Sequence, residues 1–240
     1  MSFTEENINY ITEIQFNIFS NKNIKNNSSI SEKDGITIPE TYDGGEPKRG
    51  GIVDTRLGIT DGNLECAYCG LNANNCPGHF GHTQLAQPIF HYGFLNQIRH
   101  ILSCICLKTS KLLIDKNTPE NKKLFKFSKK NRFNEIKLLS KKVLVSDVGI
   151  PVPKIKEEIK NSIINFIAEY NIVNNQDTNK KKIKEYLSAT DVYNILKNIS
   201  DDDWNFLGFD CDKYRPEDLL IINLPIPPVT IRPSLKTEFL

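Results

Sequence analysis

The sequence contains no apolar run approaching the roughly 20 residues that a membrane-spanning helix needs. Its first residues, MSFTEENINYITEIQFNIFS, lack the basic start and apolar core of a secretory signal. With neither feature, a reducing compartment is expected, where the six cysteines read as metal ligands or buried thiols before disulfides. An excess of charge is also missing. The 31 basic and 29 acidic side chains leave +2, which argues neither for nor against a nucleic-acid partner. No internal repeat is visible. What is present is a globular composition, 39% hydrophobic and 25% charged, in a chain of 240 residues, so a core of ordinary size in one large domain or two small ones is expected.

Lysine is gathered in two stretches, NKKLFKFSKKNRFNEIKLLSKK and NKKKIKEY, and far outnumbers arginine. Near the start, Ile14, Phe16 and Ile18 alternate with polar neighbours, as in a strand with one buried face. Residues 20 to 53 are polar and turn-rich, which predicts a surface excursion. After Pro88, the positions of Phe94, Ile98, Ile101, Ile105 and Leu112 approach helical spacing and predict a helix with a broad apolar stripe. Two further helices are expected, one across 119 to 140 and one across 153 to 172, the latter with Pro153 near its start. Ser188 three residues before Asp191 forms a loose capping box for a helix bearing Val192, Ile195 and Leu196. A short helix through Trp204, Phe206 and Leu207 is stopped by Gly208. LLIINLPIPPVTIRPS then reads as an apolar strand running into prolines, with the chain cut mid-architecture.

The chemistry concentrates in DTRLGITDGNLECAYCGLNANNCPGHFGH. Cys66-x2-Cys69, six residues, then Cys76-x2-His79 make two knuckles. Two intervening residues let one tight turn place both donors on a single ion, and two such turns complete three thiolates and one imidazole, a usual set for structural zinc. Gly70 and the Pro77-Gly78 pair suit the turns beside the metal. Four protein ligands leave no position for water, so the site is expected to hold structure and not to hydrolyse, contributing on the order of 10 kcal/mol to a loop poor in apolar residues. His82 is the alternative to His79, with the spacing favouring His79. The bland reading, clustered buried thiols, is disfavoured by the paired spacing. Cys104 and Cys106 alternate without knuckle spacing within the expected helix and read as core residues. Cys211 stands alone, and His91 and His100 read as packing or capping residues.

These residues resemble the N-terminal region of the largest subunit of multi-subunit DNA-directed RNA polymerase, closest to the eukaryotic polymerase II type. The matching elements are Arg56-Leu57-Gly58, Asp61, the four ligands, the run Gly78 to His82, and Pro88, His91, Gly93 and Phe94. The likeness extends through IQFNIFS, IPETYD, KLLID, NILKNIS, LGFD and RPEDLLIINLPIPPVTIRPS, and is weakest between 116 and 186. The resemblance implies an α+β fold: a zinc-bearing clamp core with short strands over 1–91, a mostly helical clamp head over 92–218, and a proline-rich return strand over 219–240. It implies one structural Zn2+ at Cys66, Cys69, Cys76 and His79, with Mg2+ confined to a catalytic loop of NADFDGD form that this chain does not carry. The implied partners are the second-largest subunit, other polymerase subunits, template DNA, the RNA–DNA hybrid and transcription factors at the clamp, with no membrane. The implied location is the nucleus, or a virion or cytoplasmic virus factory.

One departure is informative. Eukaryotic members usually carry a second zinc site in the head, where this chain has CLKTS. Here Cys106 remains, Thr109 stands where its knuckle partner would be, and Ser146 falls at a third ligand position. Hydroxyls are not usual zinc ligands, so that site is expected to be absent, which points to a divergent lineage such as a large DNA virus or a protist. Lys129, Lys130, Arg132, Lys137, Lys141 and Lys142 are candidates for phosphate contact, Lys141 and Lys142 foremost; a solvated helix face is the competing reading. A free-standing zinc adaptor for protein or RNA would need only the knuckles, and a zinc hydrolase would need an open metal position and a nearby base.

Overall fold

The computed structural model describes residues 12–14, 16, 18–160, 163–172 and 181–233. Its spine is a two-stranded antiparallel pairing between residues far apart in sequence. Strand β3 (Gly81–Phe90) lies against β7 (Leu220–Ile226), with Gly81 opposite Ile226 and Phe90 opposite Leu220. The register shifts between Gln84 and Ile89, where Pro88 cannot donate to the ladder and the strand bulges around it. A short helix α1 (Asn21–Asn26), capped by the Ser20 side chain, is tied to this pair. Asn21 Oδ1 accepts from the N–H groups of Ile222 and Asn223 at 3.0 and 2.9 Å. A small hairpin of β1 (Tyr42–Asp43) and β2 (Glu46–Pro47) follows.

The largest core lies beyond β3. Helix α2 (Leu95–Leu102) buries Leu95, Ile98, Ile101 and Leu102, the i, i+3, i+6, i+7 face that its sequence foretells. It ends at Ser103, well short of Leu112, and Cys104 and Cys106 sit beyond it. Both remain buried, as core residues should be, but in a tight loop and not a helix. The lysine-rich stretch divides into α3 (Pro119–Lys122), a 3-10 turn over Lys123–Lys126, and α4 (Lys129–Ser140), whose N-terminus is capped by Ser128. Phe127 is extended and breaks the single expected helix.

The helix expected over 153 to 172 is a hairpin. β4 (Lys154–Lys160), β5 (Ile163–Ile172) and β6 (Lys181–Leu187) form an antiparallel sheet in that order. Isoleucine-rich segments fit a pleated surface well, and Ile155, Phe166, Ala168 and Leu187 all join the main core. Residues 92–218 therefore mix helices with a three-stranded sheet that the sequence pattern did not predict. Two helices then close the core. α5 (Ala189–Lys197) has the expected capping box, with Asp191 N–H on Ser188 Oγ at 3.2 Å and Ser188 N–H on Asp191 Oδ2 at 2.9 Å. α6 (Asp201–Leu207) ends at Gly208, whose φ of 99° is the left-handed stop expected of a glycine there. Trp204, fully buried, stacks on Phe209 and donates its indole N–H to Tyr214 O at 3.1 Å.

Two smaller apolar clusters lie near the cysteines. One joins Ile30, Ile36, Leu57, Ile226 and Val229. Residues 20 to 53 are thus not a simple surface excursion, since Ile24, Ile30 and Ile36 are buried. The other cluster contains only Ile59, Cys66 and Cys76 with a few half-buried neighbours. No strand runs through the described residues 12–14, 16 and 18, where Ile14 and Phe16 are exposed and Ile18 packs against the main core.

Candidate metal centre

Two turns build the site. Cys66 N–H donates to Leu71 O at 2.9 Å and Gly70 N–H returns to Cys66 O at 2.8 Å, folding residues 66 to 71 into a closed knuckle. Gly70 sits at φ 70°, a backbone conformation that costs a side chain roughly 1–2 kcal/mol. Asn72 starts the second turn, accepting from Asn75 N–H on its side chain and from Cys76 N–H on its carbonyl. Gly78 then takes φ 79° and directs its N–H at Cys76 Sγ, 3.4 Å away. His79 is anchored through its own N–H on Leu57 O at 3.1 Å.

The result brings one donor atom each from Cys66, Cys69, Cys76 and His79 within 4.8 Å of one another. Cys69 Sγ and Cys76 Sγ are 3.7 Å apart, and Cys76 Sγ lies 3.6 Å from His79 Nε2. Tetrahedral geometry with Zn–S of ~2.3 Å and Zn–N of ~2.0–2.1 Å gives edges of about 3.8 Å for S···S and about 3.6 Å for S···N. The donor set, and the two edges that meet at Cys76, therefore fit one tetrahedral ion held by four protein ligands. His82 is elsewhere: it is buried, with Nδ1 at 2.8 Å from Ser28 Oγ.

The local electrostatics suit a cation. Burial pushes the Cys76 thiol up, and sharing with the Cys66 and Cys69 thiols takes it to about 11 despite the Gly78 N–H. Burial also works against ionising Cys66, but the N–H groups of Cys69 and Tyr68 together with the Cys69 and Cys76 thiols outweigh it and hold that thiol below its ordinary value. Three thiolates at these separations repel; a divalent cation between them removes the conflict and deprotonates coordinated thiols outright. Burial lowers His79, favouring the neutral imidazole that serves as a ligand.

Beneath the knuckles lies an ion-pair platform whose role the sequence does not disclose. Arg56, nearly buried, forms a bidentate pair with Asp54 (Nε–Oδ1 3.0 Å, Nη2–Oδ2 2.7 Å) and reaches both Glu32 oxygens at 2.9 and 2.7 Å. Asp54 also accepts from the N–H groups of Gly50 and Arg56. The pairing fixes residues 54–57 and hence the carbonyl that holds His79. Arg56-Leu57-Gly58 is visible as a motif, but its partner Glu32 lies too far back for spacing to reveal it. A second platform comes from β7's continuation: a Cβ on Gly78 would stand 2.5 Å from Thr230 Oγ1 and 2.6 Å from Pro228 Cβ.

The basic candidates differ in exposure. Lys141 and Lys142 are exposed just past α4, Lys137 is half-buried on its last turn, and Lys129 and Lys130 are exposed at its start. Arg132 is buried instead, donating to Asn205 O at 2.9 Å with its guanidinium over the Phe125 ring, so its charge is used within the fold.

Residues 8–239 match the family model described as RNA polymerase Rpb1, domain 1, and the chain belongs to that family. It is 40% identical over 247 residues to DNA-directed RNA polymerase subunit 1 of Acanthamoeba polyphaga mimivirus, across 98% of this chain and 16% of that protein. The chain thus spans about a sixth of the length of that relative.

Proposed function

We propose that this chain acts as the N-terminal clamp portion of the largest subunit of a DNA-directed RNA polymerase, closing over template DNA and the RNA–DNA hybrid, with one structural zinc at Cys66, Cys69, Cys76 and His79. The observation that carries the reading is the coincidence of family membership over residues 8–239 with a three-sulfur, one-nitrogen cluster whose donor atoms all lie within 4.8 Å of one another. The β3–β7 pairing supports a division into a core over 1–91, a head over 92–218 and a return strand over 219–240, because it joins the first and last of these. The zinc, when bound, supplies a crosslink between two turns that have too few apolar side chains to hold themselves. The chain's own residues do the rest: Leu57 O orients His79, Arg56 braces Leu57, and Gly78 lets the return strand pack against the knuckle.

In this role the chain catalyses nothing alone. Nucleotidyl transfer with Mg2+ belongs to other parts of the assembled enzyme, and the clamp contributes by rigid-body closure. Its partners are the second-largest subunit, further polymerase subunits, transcription factors, DNA and the hybrid, in a nucleus, virion or cytoplasmic virus factory. The test is affinity purification of the chain from its native source, with mass spectrometry of the co-purifying proteins. Recovery of a second-largest polymerase subunit and nucleic acid is expected. Recovery of unrelated proteins alone would leave the zinc-adaptor reading in its place.

A further inference from the structure

The knuckle at residues 66–71 occurs twice. In its second copy, Cys106 N–H donates to Lys111 O at 2.8 Å and Ser110 N–H returns to Cys106 O at 2.8 Å, the same two bonds found at Cys66, Gly70 and Leu71. An isolated antiparallel bridge flanks each turn, Glu65 with Asn72 in the first and Ile105 with Leu112 in the second. The left-handed position recurs as well. Gly70 has φ 70° and Ser110 has φ 56°, and Ser110 is the one non-glycine with positive φ among the described residues. A serine bears strain there that glycine avoids, so something holds the turn in this shape.

The place of Cys69 is taken by Thr109. Its Oγ1 is shielded from solvent and has no hydrogen-bond partner. From the opposite side comes a second turn. Val145 bridges Pro151, Ser146 N–H donates to Ile150 O at 2.8 Å, and the buried Ser146 Oγ accepts from Ile150 N–H at 3.2 Å. One thiol and two hydroxyls are not a zinc donor set. Among the described residues, the one His/Cys/Asp/Glu cluster spaced for a metal is the first centre.

We propose that residues 105–112 are a second knuckle that folds without metal, closed by the paired backbone bonds of Cys106 and Ser110 and seated on the main core through Cys104 and Ile105, with Thr109 standing where Cys69 stands in the first. Burial of Cys104 and Ile105 in the main core replaces the ion as what fixes the 105–112 turn. Burial works against ionising Cys106, but its polar surroundings, the Thr109 side chain and the N–H groups of Thr109 and Lys108 first, hold that thiol below its ordinary value. Because the backbone keeps the knuckle shape, the turn remains competent for a soft divalent ion and lacks only the sulfurs. The inference rests on the reading of residues 66–79 as a metal knuckle only for its comparison, and the test separates the two.

The full chain and two variants, Cys106→Ser and Thr109→Cys with Ser146→Cys, are loaded with Co2+, and bound metal and thiolate-to-cobalt absorption are measured. The expected result is one ion in the native chain, one in Cys106→Ser, and two in the double variant, the second held by three thiolates and solvent. A native chain that loses an ion on Cys106→Ser would overturn the proposal, since Cys106 would then be a ligand already. A double variant that folds by circular dichroism yet gains nothing over the native chain would overturn it too. If the double variant does not fold, the Cys106→Ser comparison alone decides. If the native chain holds no ion, the first centre's reading fails, while a gain of one ion in the double variant still upholds the second knuckle.

Discussion

Gly78→Ala tests how far the metal loop depends on the strand that returns to it. Two costs act at this residue. The left-handed φ of 79° penalises any side chain by roughly 1–2 kcal/mol. The new methyl would also meet Thr230 Oγ1 at 2.5 Å and Pro228 Cβ at 2.6 Å, and a proline ring cannot rotate aside. Overpacking of that kind costs about 1–3 kcal/mol, for a total of about 2–5 kcal/mol. Gly70→Ala is the internal control: its φ of 70° carries the same conformational cost, but nothing lies within 4 Å of its added Cβ. The difference between the variants, about 1–3 kcal/mol, isolates packing against residues 228–230. Because folding of the loop and metal binding are one equilibrium, the difference reads out as metal affinity. In competition with a chromophoric chelator, Gly78→Ala should bind zinc roughly 5- to 150-fold more weakly than Gly70→Ala, since each 1.4 kcal/mol is a factor of ten. Adding Thr230→Ala should recover part of the loss, leaving the Pro228 clash. Equal weakening by the two glycine variants would refute the reasoning, and with it the idea that the return strand braces the knuckle.

Three other outcomes rest on the same geometry. Cys66→Ser or Cys76→Ser should abolish stoichiometric zinc measured by plasma emission, whereas His82→Asn should keep one ion per chain, since His82 bonds Ser28 away from the cluster. Asp54→Asn should cost about 3 kcal/mol in chemical denaturation, the low end for breaking a buried pair because Glu32 still meets Arg56. Burial opposes the Asp54 charge, but Arg56 and the Gly50 and Arg56 N–H groups overcome it and depress its folded pKa. Its stabilisation is therefore complete above the unfolded value of about 3.9 and is lost as pH falls through the lower folded value. The acid limb of a stability titration should accordingly be flatter in Asp54→Asn than in the native chain. In the assembled polymerase, Lys141→Ala with Lys142→Ala should reduce the log–log salt slope of DNA binding by about 2 if both meet phosphates. Arg132→Ala should lower thermal stability and leave that slope unchanged, because its charge serves Asn205 O and the Phe125 ring.

Local features are legible from the residues alone, because the physics that sets them acts over a few positions. The two-residue spacings of Cys66, Cys69, Cys76 and His79 pick out, without any coordinates, the four donors that the fold brings together, since a turn of that length has little freedom in where it places them. The Ser188–Asp191 capping box and the Gly208 stop belong to the same class. Residues 153 to 172 show the limit. Their isoleucines and Phe166 suit either period, and what decides for strands is a third segment, Lys181–Leu187, that pairs with β5 and completes a sheet on the main core. Cys104 to Leu112 carries an apolar pattern that continues α2, yet the chain turns at Ser103 to close a knuckle; the resemblance marks its place at Cys106 and Thr109, but that the turn keeps its shape there is seen only in hydrogen bonds and φ angles. The sequence by itself determined which atoms can hold a metal. Tertiary structure decided what braces them, because Glu32, Asp54, Pro228 and Thr230 meet the knuckles only after β3 and β7 have brought distant parts of the chain together.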